Sequence, residues 1–363
     1  MNSNLENLGD LFIVGLSGEQ LLTVEQTLLE RLRPAGVILF KRNFAPGESW
    51  TSQLGDLIAA AKKAAGRESF FVSIDHEGGR VHRFPIPVTH FPAAQEWASE
   101  AYRVGRAMAR ELRSLGFNLN FAPVLDIDSE AQNPVIGKRA FASDMSRVIE
   151  SGKAYLRALT EEGVVACGKH FPGHGGTTTD SHLTLPRVEE SSQCLRQREL
   201  MPFQELIRGG LKMIMTAHVV YSAFDRENPA TCSGPIITKL LRGELGFEGV
   251  VISDALEMSA LSNFELDQLG KRTLTAGVDM LLVAEPKGMH PLERAVKIAE
   301  GIATELKEKR LEEKTIAQAC ERVSKLFTHL TLLQQPNPPS QYNLSLVGCE
   351  EHVKLLAEIT RKA

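Results

Sequence analysis

The sequence predicts a single (β/α)8 barrel of the TIM type with a short C-terminal extension. Short apolar runs recur along the 363 residues, separated by segments of helical pattern. The runs are continuous rather than alternating, as strands are when both faces are buried in a parallel sheet. The strand-then-helix unit occurs eight times, the count of a closed barrel ringed by helices. An open doubly wound sheet is the competing architecture. Its dinucleotide-binding turn is missing, because the first run ends in Gly15-Leu16-Ser17-Gly18 and not in GxGxxG.

In chain order the expected strands are Leu11–Leu16, Gly36–Phe40, Phe70–Ile74, Asn118–Val124, Val164–Cys167, Met213–Ala217, Val250–Ile252 and Met280–Val283. The helical stretches that alternate with them are Val24–Leu32, Trp50–Ala65, Trp97–Leu115, Met145–Glu161, Gln193–Arg208, Ile236–Leu245, Glu265–Ala276 and Leu292–Glu305. Residues 1–333 are therefore assigned to the barrel and residues 334–363 to a linker and tail. Gln334–Ser340 (QQPNPPS) reads as an extended linker. Beyond it one amphipathic segment, Glu351–Ile359, is too short for a domain and should pack on the barrel or fray.

Hydrophobic residues make up 43% and charged residues 24% of the chain, which excludes collagen-like, low-complexity and mostly disordered classes. The net charge of −4 gives no basic footprint for nucleic acid and no polybasic membrane anchor. No apolar stretch reaches the roughly 18 residues of a membrane helix. The polar, acidic start Met1–Asp10 shows no signal peptide, so a cytoplasmic monomer is expected. The five cysteines form no CxxC pair, which argues against a disulfide framework or a zinc cluster.

The third to eighth strand runs are each followed by polar residues: Asp75, Asp126 and Asp128, Lys169 and His170, His218, Asp254, and Glu285. In a barrel these fall on one rim, the carboxyl end of the strands, where barrel active sites sit. Polar residues also mark strand ends for purely structural reasons, which explains any one of them but not the set.

Gly168–Pro186 is the densest segment. Three of the ten histidines, His170, His174 and His182, lie there within thirteen residues, among glycines and threonines that predict a loop. Asp180 and His182 are placed for a carboxylate to orient an imidazole for proton transfer. Two other readings compete. One is a metal site built on the HxxxH spacing of His170 and His174, with Asp180 and His182 as further ligands; that spacing needs a helix that Pro172 and the glycines disfavour. The other is a histidine-rich surface loop. Asp254, directly after a buried strand, is a candidate nucleophile or ion-pair partner, or else the N-cap of the next helix. In Ser73–Phe84, Asp75 and Glu77 precede a Gly78-Gly79 turn and then Arg80 and Arg83. Such mixed charges can bond vicinal hydroxyls from both sides, or form an ordinary salt-bridged turn. Arg139, in Ile136–Phe141, is a further rim candidate.

Taken together and in order, IDHEGGRVHRF, NFAPVLDID, IGKRAF, GKHFPGHG with a spaced DSH, MTAHV and GVVISDALEM resemble glycoside hydrolase family 3. The DSH element resembles its β-N-acetylhexosaminidase (NagZ-like) branch, the bacterial peptidoglycan-recycling type, and the resemblance spans roughly Leu11 to Thr331. It implies a barrel and a retaining mechanism with a covalent glycosyl-enzyme intermediate. By motif, Asp254 would be the nucleophile. His182, paired with Asp180, would be the acid/base. Asp75, Arg83, Arg139, Lys169 and His170 would bind the terminal sugar.

The implied substrate is a small carbohydrate, N-acetylglucosamine β-linked in a muropeptide, with no metal or organic cofactor. A phosphorylase of the same family, or an enzyme acting on a plain β-glucoside, is the alternative. His174 would shape the PGHG turn, and Gly173–Thr179 should move and carry His182. The chain departs from the family pattern at His76, where Gln is frequent, at Ala140, where Ser is frequent, and at Ala255, where a second acid is frequent. Many relatives carry a second α/β domain that contributes to the site. Here the barrel is expected to supply the whole site.

Overall fold

The computed structural model describes residues 5–47, 49–130, 132–177, 185–334 and 343–362. Eight parallel strands form the centre: β1 Phe12–Gly15, β2 Gly36–Ile38, β3 Phe71–Ile74, β4 Leu119–Asn120, β5 Val165–Phe171, β6 Met213–Thr216, β7 Val250–Ile252 and β8 Leu281–Val283. Their order is β8-β1-β2-β3-β4-β5-β6-β7, and a parallel bridge between Ile252 and Met280 joins the last pair. The result is the expected (β/α)8 barrel. Eight helices alternate with the strands: α1 Thr23–Leu32, α2 Trp50–Ala65, α3 Ala101–Ser114, α4 Met145–Glu161, α5 Leu200–Arg208, α6 Pro235–Glu244, α7 Leu266–Ala276 and α8 Pro291–Lys307.

Every residue of these eight strands is buried, which explains the continuous apolar runs. One set of side chains fills the barrel interior, among them Ile13, Ile38, Phe71, Phe121, Val165, Met213, Met215, Ile252 and Leu282. The alternate residues, such as Val14, Val37, Val72 and Val251, pack outward against the helices. A further helix, α9 Glu313–Gln334, closes the amino end of the barrel: Val323, Leu326 and Leu330 join the interior cluster, and Phe327 stacks on Phe71 at 4.1 Å. No helix among the described residues is long and apolar enough to cross a membrane.

The structure corrects several element boundaries. The run Asn118–Val124 makes ladder pairs only at Leu119–Asn120, because Pro123 has no N–H to give. Val124 then forms an isolated bridge with Lys169. Conversely β5 extends four residues beyond Val164–Cys167, so Gly168, Lys169, His170 and Phe171 are strand and not loop. The expected helix Gln193–Arg208 is broken into Ser192–Gln197 and α5, and α6 is wound as a π-helix.

The tail packs on the barrel. Helix α10, Glu350–Lys362, buries His352, Leu355 and Ile359, and His352 Nδ1 lies 3.0 Å from Glu111 Oε1 of α3.

Candidate active site

The carboxyl ends of the strands surround a cavity of about 500 Å³, within the range of small-molecule sites. It is lined by Asp75, Arg83, Arg139, Lys169, His170 and Asp254, together with Glu77, His174 and Glu257. Six of the sequence-predicted site residues thus share one cavity. Asp180 and His182 lie outside the described residues.

One wall is a buried charge network. Lys169 Nζ, projecting from β5, is 2.7 Å from Asp75 Oδ1 and 2.7 Å from Glu77 Oε1. Arg139 closes a two-pronged pair on Glu77 with both contacts at 2.8 Å. Burial would push the Glu77 carboxyl up, but Arg139 and Lys169 overrule it and hold Glu77 far below the usual range. Lys169 is buried too, yet Asp75 and Glu77 raise it above the ordinary lysine value, so it stays charged. The wall therefore presents fixed donors and acceptors side by side, as recognition of sugar hydroxyls requires. Arg83 stands nearby with its Cζ 5.7 Å from the Phe40 ring centroid. Its buried Nε has no hydrogen-bond partner among the described residues.

The second wall comes from β5 and the β4 loop. His170 Nδ1 is 2.6 Å from Asp126 Oδ2, and the backbone N–H groups of His170 and His174 both donate to Asp126 Oδ1. Burial would raise Asp126, but His170 and His174 hold it below the usual carboxylate range. His174 Nδ1 meets the Thr177 hydroxyl at 2.9 Å, and burial pushes its imidazole down to about 4. Asn133 Nδ2 donates to the carbonyls of His174 and Gly175. A Cβ at position 175 would sit 1.6 Å from the Ile127 carbonyl oxygen, so only glycine fits there. Within the segment expected to move, these contacts tie Gly173 through Thr177 to the β4 loop, and Thr178 and Thr179 lie outside the described residues.

Asp254 follows β7 and is half-buried. Its Oδ1 accepts from the Ala255 N–H at 2.7 Å. The residue does not cap a helix, since only a three-residue 3-10 turn, Ser259–Leu261, intervenes before α7. Burial alone would raise Asp254, but His218, His170, the Ala255 N–H and Lys169 outweigh it and keep it ionised at neutral pH. His218 Nε2 donates to the Ala255 carbonyl at 3.0 Å and so braces the turn that carries Asp254.

Other rim candidates have structural roles. Glu285 pairs with Arg42 at 2.6 Å. At the end of β1, Ser17 Oγ is 2.6 Å from His290 Nε2, and Glu25 Oε1 is 3.2 Å from the same nitrogen. His290 Nδ1 accepts from the Leu292 N–H, so Nε2 carries the proton and cannot take one from Ser17. Among the described residues no three His, Cys, Asp or Glu side chains are placed to hold a metal ion. His170 and His174 engage Asp126 and Thr177 through Nδ1, contacts that do not decide the metal reading, and its third histidine, His182, lies outside the described residues.

Residues 6–326 match the model of the glycosyl hydrolase family 3 N-terminal domain. The β-hexosaminidase A of Pseudoalteromonas piscicida is 34% identical over 93% of this chain, which spans 60% of that relative's length. The β-hexosaminidase of Alkalilimnicola ehrlichii is 40% identical over 76% of this chain and 80% of its own. Among solved structures, a family 3 β-N-acetylglucosaminidase from a Paenibacillus species superposes with a TM-score of 0.89 at 34% identity, covering 99% of this chain and 68% of that one. NagZ of Neisseria gonorrhoeae, solved with N-trifluoroacetyl-D-glucosamine, gives 0.76 at 27% identity and covers 98% of both chains.

Proposed function

This chain belongs to glycosyl hydrolase family 3, and from that premise we propose that it is an exo-acting β-N-acetylglucosaminidase that removes terminal β-linked N-acetylglucosamine from small peptidoglycan fragments. The observation that carries the reading is the placement of ionised Asp254 on the same cavity as the Asp75–Lys169–Glu77–Arg139 network. A fixed carboxylate then faces the anomeric carbon of a sugar held by its hydroxyls.

In this reading Asp254 attacks that carbon and the glycosidic bond breaks with retention through a glycosyl-enzyme. His182, oriented by Asp180, protonates the leaving oxygen and then takes a proton from the incoming water. A neutral imidazole there does not repel an anionic muramic acid leaving group, as a second carboxylate would. Lys169 and Asp75 order the ring, with Arg139 fixed behind them on Glu77. Arg83 and His170 supply further hydrogen bonds that strengthen as charge develops.

Turnover of an aryl β-N-acetylglucosaminide tests the reading. D254A should lose about three orders of magnitude or more in kcat, as expected when a covalent nucleophile is removed. Near wild-type turnover would remove Asp254 from that role. The first-formed anomer, read by NMR, reports retention. Free N-acetylglucosamine released in phosphate buffer excludes phosphorolysis, whereas sugar-1-phosphate would establish it. Release from a muropeptide set against release from chitobiose decides the aglycone.

A further inference from the structure

Three residues beyond Asp254, Glu257 is buried in the cavity wall opposite the charge network. Its Oε1 accepts from two backbone N–H groups, that of Ala284 at 3.0 Å and that of Glu285, both at the end of β8. Its Oε2 is sealed from solvent and has no hydrogen-bond partner among the described residues. One oxygen is thus saturated and the other faces no donor. Sealing an ionised oxygen without a partner costs far more than sealing a neutral hydroxyl, so this geometry selects the acid form.

We propose that Glu257 is a positioning residue for Asp254: a protonated carboxyl that pins the Asp254–Met258 turn to the end of β8 and whose ionisation puts a second, unpaired negative charge into the cavity wall it shares with Asp254. The inference rests on Asp254 being the nucleophile.

The charges around Glu257 are few. Asp254 lies on its own turn. Glu285 and Lys287 follow β8, and Glu285 is already neutralised by Arg42 from the β2 loop. Arg294 of α8 favours the ionised form but makes no ion pair with Glu257. Its Nη2 donates to the Lys287 carbonyl at 2.6 Å, and its Nε is buried without a partner. Burial is the largest influence, and it overrides the Glu257, Glu285 and Ala284 N–H groups and Arg294 to push the carboxyl up to about 7. Deprotonation therefore falls near neutrality.

The test is the pH profile of kcat/KM on a nitrophenyl β-N-acetylglucosaminide, which reports ionisations of the free enzyme. Nitrophenol leaves without much protonation, so the profile is least sensitive to His182. Wild type should lose activity above neutrality, roughly tenfold per pH unit past the midpoint. E257Q keeps an oxygen for the two N–H groups and cannot ionise. Its alkaline limb should vanish or move up by at least one pH unit, while E257L should lose kcat across the range. Coincident alkaline limbs for wild type and E257Q, or no wild-type fall near neutrality, would overturn the proposal. Should E257Q fail to fold, infrared difference spectra of wild type decide: a protonated-carboxyl band must disappear on the alkaline side of neutrality. D254A run in parallel separates the two inferences, because full activity there defeats the nucleophile reading whatever Glu257 does.

Discussion

The imidazole of His170 is fixed by Asp126, Nδ1 to Oδ2 at 2.6 Å, with both side chains buried. The same carboxylate holds the backbone of His170 and of His174, so one side chain sets both the ring and the turn behind it. Asn at position 126 would keep the shape but lose the charge and one acceptor. D126N should lower kcat/KM by about 100-fold, the usual effect of a misoriented group near the reacting atoms. It should also lower stability by about 1–3 kcal/mol for the donors left unpaired. Steady-state kinetics with thermal unfolding checks both. Unchanged kcat/KM would show that His170 needs no orienting partner.

A second prediction concerns Glu77. Replacing it by Gln strands Arg139 and Lys169 in the cavity wall, and breaking a buried ionic cluster costs about 3–5 kcal/mol. The sign of the pH dependence follows from the depressed folded-state value. Glu77 stabilises the fold fully above its unfolded pKa of about 4.3, and that contribution fades as pH falls below it. E77Q should therefore be less stable than wild type at pH 7, with the gap narrowing in acid. Urea unfolding at several pH values measures it. A constant gap down to the lowest pH at which the fold persists would contradict the assignment.

These two cases show which parts of the site were readable. Lys169, His170, Asp75 and Asp254 each follow an apolar run, so their common rim follows from strand count alone. Asp126 stood on the same rim but carried no assigned role, since spacing does not distinguish a carboxylate that faces the cavity from one that turns to hold a histidine. Glu77 was visible only as part of a mixed-charge turn, able to bond vicinal hydroxyls or to pair with its local arginines. Its partners come from residues 139 and 169, and nothing local announces them. The loop reading of Gly168–Phe171 failed because glycine and histidine lower strand propensity, while pairing with β6 decides the conformation. Glu257 lies in a motif that was singled out, yet its burial depends on the end of β8 closing over it.

A third prediction is acid lability through histidines. His82 stacks on His90 at 4.0 Å, and burial together with His90 pushes its pKa down to about 4. His174 is likewise held near 4, chiefly by burial. Both are neutral in the fold but protonate near 6.5 when unfolded. Their contribution is complete above that value, falls as pH drops from about 6.5 towards 4, and is spent below it. The expected loss is on the order of a few kcal/mol between them. H82F, which cannot take a proton, should flatten the decline of Tm between these limits. A wild-type slope in H82F would assign the lability elsewhere.

The last prediction concerns Glu111, which joins three parts of the chain. From α3 its buried carboxylate accepts from the Thr89 N–H at 3.0 Å, the Thr89 hydroxyl at 2.7 Å, the Gly348 N–H at 2.8 Å and His352 Nδ1 at 3.0 Å. Gly348, at φ +62°, lies against the Pro87 carbonyl, which a Cβ would approach to 2.2 Å. The tail is therefore seated on the same loop that leads back to Arg83 in the cavity. E111A should free α10 and loosen that loop together. Expected outcomes are a stability loss of about 1–3 kcal/mol per stranded buried donor, faster proteolysis near residue 343, and a higher KM with a smaller change in kcat. A chain ending at Gln334 should reproduce the KM effect. Faster tail proteolysis with unchanged KM would show that Glu111 only anchors α10, whereas unchanged proteolysis would deny it that role as well.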